Sequence, residues 1–253
     1  MPLSLSISGI TANPREAISL AAGWMTAVGQ PRIQLDAAMA GIRPRELDRS
    51  ARRDLASLLK RSAVAATGLD LFLPPQHLAE SAHVDRAVSA ITGAIELLSE
   101  LASLGALETR VLCLSLPPKP LASALAAISS VAQEHGVAIA DFSFPPASDL
   151  PASISRGIDC ALAIAASQDV AALVASSAPG AIRLSDWDGT RRVPVGKGRL
   201  ETRSLVAAAS VSAPNVPVVI DLRGIDGLAS NPQAWQSAAS AAVKSWKSGI
   251  AVS

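Results

Sequence analysis

Short apolar runs alternate along the chain with longer stretches whose apolar residues recur at helical spacing, one such pair about every 30 residues. Eight runs predict strands: Leu3–Ser8, Arg32–Leu35 closed by Asp36, Ala65–Phe72, Arg110–Leu116, Val137–Phe142, Ile158–Ile164, Ala181–Leu184 and Val216–Leu222. The segments between them predict helices. Asn13 can cap the first, with Pro14 at its opening position and Glu16 completing a capping box. Leu47, Ala51, Leu55, Leu58 and Leu59 share a face in the second, and Val84, Val88, Ile91, Ile95, Leu98 and Leu101 in the third. Leu121, Leu125, Ile128 and Val131 mark a fourth, which Gly136 stops because glycine tolerates the left-handed position past a helix end. A short helix is expected near Ala147–Ser155, then helices at Asp169–Ala175 and Thr202–Val211. A last helix opens at Asn231-Pro232 with Trp235, Ala239, Ala242 and Trp246 on one face.

Eight strands and eight helices in strict alternation predict an α/β fold, a single-domain (β/α)8 TIM barrel over residues 1–253. A doubly wound open sheet is the competing architecture. It loses its main support because Ser8-Gly9-Ile10-Thr11, after the first strand, lacks GxGxxG spacing.

Composition narrows the function classes. The chain has 253 residues, 49% hydrophobic and 17% charged, enough for a large core without covalent staples. A net charge of +1 argues against bulk electrostatic binding of nucleic acid. No apolar run is long enough to span a membrane, and no basic region precedes the short apolar start, so neither a membrane anchor nor a signal peptide is expected. Cys113 and Cys160 lie inside apolar runs, as buried reduced thiols of a cytoplasmic protein would. There is no Tyr, and aromatic residues make up only 3%; sugar sites often stack a ring on an aromatic face, so the four Trp residues gain interest.

In such a barrel chemistry sits at the C-terminal ends of the strands. Read in order, those ends offer Ser8-Gly9, Asp36, the Pro74-Pro75-Gln76-His77 loop, Ser115-Leu116-Pro117 and Asp141-Phe142-Ser143. The later ends offer Ala163–Ala166, Arg183 with Asp186, and Asp221-Leu222-Arg223. His77 is the one histidine on this face, as a ligand, a base or a solvated loop residue; His135 precedes the fifth strand and His83 starts a helix. GxSxG, HExxH and CxxC are all missing, which removes the hydrolase and zinc readings that depend on them.

The segment Ile182–Glu201, IRLSDWDGTRRVPVGKGRLE, resembles the seventh-strand region of xylose-isomerase-like sugar phosphate isomerases and epimerases. There a His-x-x-Asp pattern precedes a P-x-G-x-G turn; here Arg183 stands at the histidine, Asp186 at the aspartate, and Pro194-Val195-Gly196-Lys197-Gly198 forms the turn. The opening 35 residues resemble the first two units of that family, and the order of elements matches throughout. The resemblance implies a TIM barrel acting on a carbohydrate through a divalent metal held by Glu, Asp, His and Glu at the later strand ends.

The departures bear on that metal. The fifth-strand Glu position falls on Asp141 or Phe142, the sixth-strand Asp near Ala163, its following His on alanine or serine, the seventh-strand His on Arg183, and the eighth-strand Glu at or near Asp221. At most two carboxylates remain, and a fixed guanidinium repels a second cation. No metal and no cofactor is therefore expected. Arg183, Arg191, Arg192, Lys197, Arg199 and Arg223 map to the seventh and eighth loops, as an anion site or as a solvated basic face. Trp187 is placed to wall the mouth or stack on a sugar.

Two expectations stand side by side. One is an isomerase or epimerase with Asp141, Asp186 and Asp221 as catalytic candidates and His77, Arg183, Trp187, Lys197 and Arg223 binding substrate. The other is a catalytically inactive barrel that binds a sugar, a small anion or a protein partner. In neither case is nucleic acid or membrane the expected partner, the expected small-molecule ligand is a carbohydrate or anion, and the Ala-rich last helix permits a homo-oligomer without requiring one. Geometry separates them: Arg183 closed tightly onto both Asp141 and Asp221 would end the enzyme reading, whereas the same groups ringing an open cavity would keep it.

Overall fold

The computed structural model describes residues 3–147, 150–228 and 231–250. Eight parallel strands close into a barrel: β1 (Leu3–Ser6), β2 (Arg32–Asp36), β3 (Ala65–Asp70), β4 (Val111–Leu114), β5 (Ala138–Asp141), β6 (Ile154–Asp159), β7 (Ala181–Leu184) and β10 (Val218–Ile220). Closure comes from β1, which pairs with β2 on one side and with β10 on the other, Leu5 opposite Ile220. Two further short strands, β8 (Asp186–Trp187) and β9 (Arg192–Val193), form an antiparallel hairpin above β7.

The helices are α1 (Pro14–Ala27), α2 (Arg49–Arg61), α3 (Val84–Ser103), α4 (Ala122–His135), α5 (Cys160–Ala165), α6 (Val170–Ser177), α7 (Thr202–Ser212) and α8 (Pro232–Ile250). Their ends follow the residues that satisfy free backbone groups. Asn13 accepts from the Glu16 N–H at 3.0 Å, Asp48 from Ala51 at 2.8 Å, and Gly136 ends α4 at φ 61°. Among the described residues no helix is long and apolar enough to cross a membrane.

The alternation of β1, Leu-Ser-Leu-Ser, divides two environments. Leu3 and Leu5 are buried in the main hydrophobic core. Ser4 accepts a hydrogen bond from the Thr67 hydroxyl of β3 at 2.8 Å, across the intervening β2 and hence inside the barrel. Gln34 of β2 likewise reaches the Cys113 sulfur of β4 at 3.2 Å. Layers drawn from alternate strands are the usual filling of this fold, and here the lower layers are small and polar. Burial pushes the Cys113 thiol up to about 12, so it packs as an inert neutral group.

The sixth unit differs from the expectation. Its strand is Ile154–Asp159 rather than Ile158–Ile164, and residues 160–165 are helical. The apolar run spans a strand end and a buried helix, which periodicity alone cannot separate. Polar Ser155 and Arg156 disguise the true strand, and Gly157 is required there because a Cβ would lie 2.7 Å from the Phe142 ring. Of the short helix expected near Ala147–Ser155, Ser148 and Asp149 lie outside the described residues, and 150–153 form a turn leading into β6. The strict alternation therefore breaks here: β6 is followed by two helices, α5 and α6. The strand end moves from Ala163 to Asp159, with consequences for the site.

Gly68 marks a close approach between β3 and β4. It sits at φ 126°, and a Cβ there would come within 2.4 Å of the Val111 carbonyl. Gly68→Ala is expected to cost about 3 kcal/mol, combining backbone strain with overpacking, as read by urea unfolding; a variant as stable as the parent would contradict this packing.

Candidate functional site

Six barrel strands deliver an aspartate at or just past their C-terminal ends. Asp36, Asp70, Asp141 and Asp159 are the last residues of β2, β3, β5 and β6; Asp221 follows β10 directly, and Asp186 lies two residues past β7. An apolar strand running into Asp is locally the same signal each time. The loops around each carboxylate decide what it does.

Asp141 and Asp186 hold backbone. Asp141 Oδ1 accepts from the Leu116 and Ser143 N–H groups, both at 2.9 Å, and its Oδ2 accepts from the Ser143 hydroxyl at 2.6 Å. Asp186 Oδ2 accepts from Gly196 and Gly198, both at 3.0 Å, and Oδ1 from Trp187 and Leu200, both at 2.8 Å. Four N–H donors thus converge on one buried carboxylate. Gly198 is needed for it, because a Cβ there would lie 2.4 Å from Asp186 Oδ1. The Pro-Val-Gly-Lys-Gly turn is folded around Asp186 and fixes the root of the β8–β9 hairpin.

The other four aspartates line a cavity of about 520 Å³ at the barrel mouth, together with Arg183, Arg192 and Arg223. Arg183 rises from β7 inside the barrel, its guanidinium 3.9 Å above the centre of the Phe142 ring. Its Nη2 donates to Asp70 Oδ1 at 2.5 Å, and its Nε lies 3.9 Å from Asp221 Oδ2. Arg223 donates to the second oxygen of Asp70 through Nη1 and to Asp221 through Nη2 at 2.7 Å and Nε at 3.0 Å. Arg192, carried by the hairpin, donates from Nη2 to Asp159 Oδ2 at 2.7 Å and brings Nη1 to 3.5 Å from Asp221. The result is a chain of alternating charge, Asp159–Arg192–Asp221–Arg223–Asp70–Arg183. Asp159 also caps α5 by accepting from Leu162 N–H at 3.1 Å.

The charges set the proton affinities. Burial pushes the Asp221 carboxyl up, but the charge and hydrogen bonds of Arg223, then Arg183 and Arg192, outweigh it and hold it at about 2. Asp36 behaves oppositely. Burial raises its pKa and the nearby Asp70 charge adds to this, against the Ala38 N–H at 2.7 Å, the Ser8 hydroxyl and the Arg223 charge. No arginine lies within ion-pair distance of Asp36 among the described residues, so it is the one carboxylate of the mouth without a guanidinium partner.

Of the residues singled out in the sequence, Arg183, Asp221 and Arg223 come together here. Arg183 meets Asp70 rather than Asp141, and the groups ring an open cavity rather than filling it. His77 lies apart, in the 3-10 turn Pro75–Leu78, with its ring 4.7 Å from that of His83. Trp187 pairs with Arg192 in the hairpin, and Lys197 is exposed on the turn; neither lines the cavity. Sequence reasoning missed Asp70, because Leu71-Phe72 continues the apolar run beyond it, and Asp159, because its strand was placed too late. The aromatic group at the rim is Phe72, 68% exposed, rather than a tryptophan. Trp24 and Trp235 stack with centroids 6.4 Å apart, and both, like Trp246, are core residues.

No family model matches the chain, and no curated protein matches it in sequence. Solved structures do match in fold. A D-psicose 3-epimerase from Clostridium cellulolyticum H10, solved with D-tagatose, aligns with a TM-score of 0.72 at 13% identity over 99% of each chain. A D-allulose 3-epimerase from Methylomonas sp. gives 0.68 at 15% identity, covering 98% of this chain and 96% of that one. The probable 3-DHS dehydratase AsbF from Bacillus anthracis gives 0.67 at 11% identity, covering 96% and 98%. These likenesses are of fold: the closed (β/α)8 barrel described above.

Two consequences can be measured. Asp70→Ala strands the buried Arg183 without its partner and is expected to cost about 3–5 kcal/mol in urea unfolding, while adding Arg183→Met restores part of it; equal stability of the two variants would argue against the pairing. Asp221, with its folded pKa below the unfolded value, contributes stability that is fully present above about pH 4 and is lost as the pH falls through about 2. The stability gap between wild type and Asp221→Asn is therefore expected to be wide near neutral pH and to close in acid; a gap independent of pH would contradict this charge network.

Proposed function

We propose that this barrel takes a small carbohydrate at its mouth and holds it with guanidinium and carboxylate groups in place of a divalent metal. The observation that carries the reading is the alternating Asp–Arg chain around the 520 Å³ cavity. A sugar hydroxyl both donates and accepts, guanidinium supplies donors, and carboxylate supplies acceptors, so neighbouring hydroxyls find both along such a chain. The volume falls in the usual range for small-molecule sites. Phe72 and Leu162, 68% and 39% exposed, offer apolar surface to the C–H faces of a sugar ring. Two structural neighbours named as ketose 3-epimerases support the choice of carbohydrate.

The residues present do not suit the divalent metal that the family resemblance implies. Asp70 carries a guanidinium on each oxygen, Asp221 is held by Arg223, and Arg183 stands where an imidazole ligand would be. Among the described residues no three His, Cys, Asp or Glu side chains converge as such a metal needs.

Asp36 favours a second reading, in which the bound sugar is also turned over. It lines the cavity, lacks a guanidinium partner and has a raised proton affinity. These properties fit a group that takes the proton from the carbon next to a carbonyl and returns it. The electron pair left behind would delocalise onto the carbonyl oxygen, where Arg183 or Arg223 stabilises the negative charge. Asp221, held at about 2, makes a weaker base, and Asp141 is occupied with its loop.

Melting curves in EDTA with D-psicose, D-tagatose and D-fructose test the binding reading. A ketose-dependent rise that persists in EDTA is expected, and a rise that needs added Mn²⁺ or Mg²⁺ would overturn it. Incubation with the same ketoses in D₂O, followed by NMR, tests turnover. Wild type is expected to exchange the proton next to the carbonyl and Asp36→Asn to lose that exchange. Because ionised Asp36 opposes folding above its raised pKa, Asp36→Asn is expected to melt no lower than wild type at neutral pH. Exchange retained in Asp36→Asn would remove Asp36 from the chemistry.

A further inference from the structure

The charges that line the mouth do not balance. Asp36, Asp70, Asp159 and Asp221 meet three guanidiniums, those of Arg183, Arg192 and Arg223. Each arginine is engaged: Arg183 with Asp70, Arg192 with Asp159, and Arg223 with both Asp70 and Asp221. With every carboxylate ionised, one negative charge is left over, and it belongs to Asp36. Its Oδ1 accepts from the Ala38 N–H at 2.7 Å and the Ser8 hydroxyl supports it, but both donors are neutral. Arg43, which donates to the Ala38 carbonyl at 2.8 Å, gives its charge to Glu46 at 3.1 Å instead.

Strand register sets what stands beside this carboxylate. Asp36 is opposite Asp70, the Ala37 N–H donates to the Asp70 carbonyl at 2.8 Å, and the Leu71 N–H carries the ladder on to the Cys113 carbonyl at 2.8 Å. Phe72 is two residues past Asp70, on the same side of the extended chain. It lines the same cavity as Asp36 and is 68% exposed. At ordinary strand spacings the Cα atoms of Asp36 and Phe72 are roughly 8 Å apart. A small group between them therefore has a carboxylate on one side and a largely uncovered aromatic ring on the other.

Those two surfaces select for positive charge. A hydroxyl that displaces water from Asp36 leaves the carboxylate further desolvated and still uncompensated. A protonated amine brings the missing charge, donates a charge-assisted hydrogen bond and is attracted to the face of the ring. A divalent metal needs several free oxygen ligands, and Asp36 is the one carboxylate of the cavity without a guanidinium partner among the described residues.

We infer that the ligand of this mouth carries a primary amine, as an amino sugar does, with its ammonium seated between Asp36 and the Phe72 ring and its hydroxyls on the Asp–Arg chain. The inference rests on the carbohydrate reading of the mouth and narrows it to a cationic sugar. An ammonium at Asp36 keeps the carboxylate ionised and lowers its proton affinity. This seat therefore replaces the proton-transfer role considered above rather than adding to it.

Calorimetric titration of wild type, Asp36→Asn and Phe72→Leu with D-glucosamine, D-glucose and ethanolamine, at neutral pH in an amine-free buffer, tests it. Wild type is expected to bind D-glucosamine about tenfold or more tighter than D-glucose, and Asp36→Asn to lose that preference. Phe72→Leu keeps an apolar side chain without the ring and is expected to reduce the preference about two- to fivefold. Equal affinity of wild type for D-glucosamine and D-glucose, or a preference that survives in Asp36→Asn, overturns the ammonium seat while leaving the carbohydrate reading intact. A preference undiminished in Phe72→Leu overturns the placement against the ring. The carbohydrate reading fails separately: if neither D-glucose nor the ketoses bind, yet ethanolamine binds wild type and not Asp36→Asn, the cation seat stands and the sugar at the mouth falls. Wild type that binds neither D-glucosamine nor ethanolamine overturns the seat outright.

Discussion

The Asp70 carboxylate, shared between Arg183 and Arg223, is the interaction on which the mouth of this barrel depends. A guanidinium inside a barrel is tolerable only with its charge met. Asp70 meets the charge from β3, directly across from β7, and the Phe142 ring supports the guanidinium from below, while the buried Nε is left without a hydrogen bond, 3.9 Å from Asp221. Once Arg183 is fixed, the positions of its neighbours follow. Asp221 must keep clear of Asp70 and be compensated by Arg223, and Arg192 completes the chain to Asp159. Charge alternation spares every member of that chain a like-charged nearest neighbour; Asp36, outside it, has no cation of its own, and burial, with the Asp70 charge adding to it, makes it bind its proton more tightly.

A second constraint acts through Asp186. The carboxylate gathers four backbone N–H groups, one from Trp187 of β8 and three from the segment after β9, and thereby anchors the hairpin that carries Arg192. A residue resembling part of a catalytic set thus serves the site indirectly. Placing a guanidinium from an excursion outside the barrel demands a rigid root, and a buried carboxylate surrounded by amide donors provides one. Gly198 belongs to the same device, since only its missing side chain lets the turn close on the oxygen.

The fold was legible because strand and helix periods differ and because caps such as Asn13 and Asp48 punctuate them. The site was legible in part. Asp36 closes its apolar run, Asp141 and Asp221 lie one residue from the ends of theirs, and Arg183 stands out against the family pattern. Asp70 and Asp159 carry the same signature but are followed by further apolar residues, one pair belonging to a loop and the other run to α5. A hydrophobic pattern does not record where a strand stops if the next residues are also buried. Nor does local sequence reveal partners: Arg183 and Asp70 are 113 positions apart, and the pairing exists only across the closed barrel. The division of labour between Asp141 and Asp36 was likewise invisible, since it is decided by whether a neighbouring loop turns its amide groups inward.

That same distance along the chain has a bearing on how the fold can be divided. Asp36 and Asp70 come from the first four strands, whereas Asp159, Arg183, Arg192, Asp221 and Arg223 come from the last four and their loops. Neither half can neutralise its own share: the first keeps two carboxylates with no mouth arginine, and the second keeps three arginines against two carboxylates. A half-barrel released from its complement would expose an unbalanced charged rim at the place where the intact molecule is most tightly paired. The mouth therefore works as a lock between the halves, and duplication or exchange of either one alone would have to rebuild the chemistry of the rim as well as the seam of hydrogen bonds between strands.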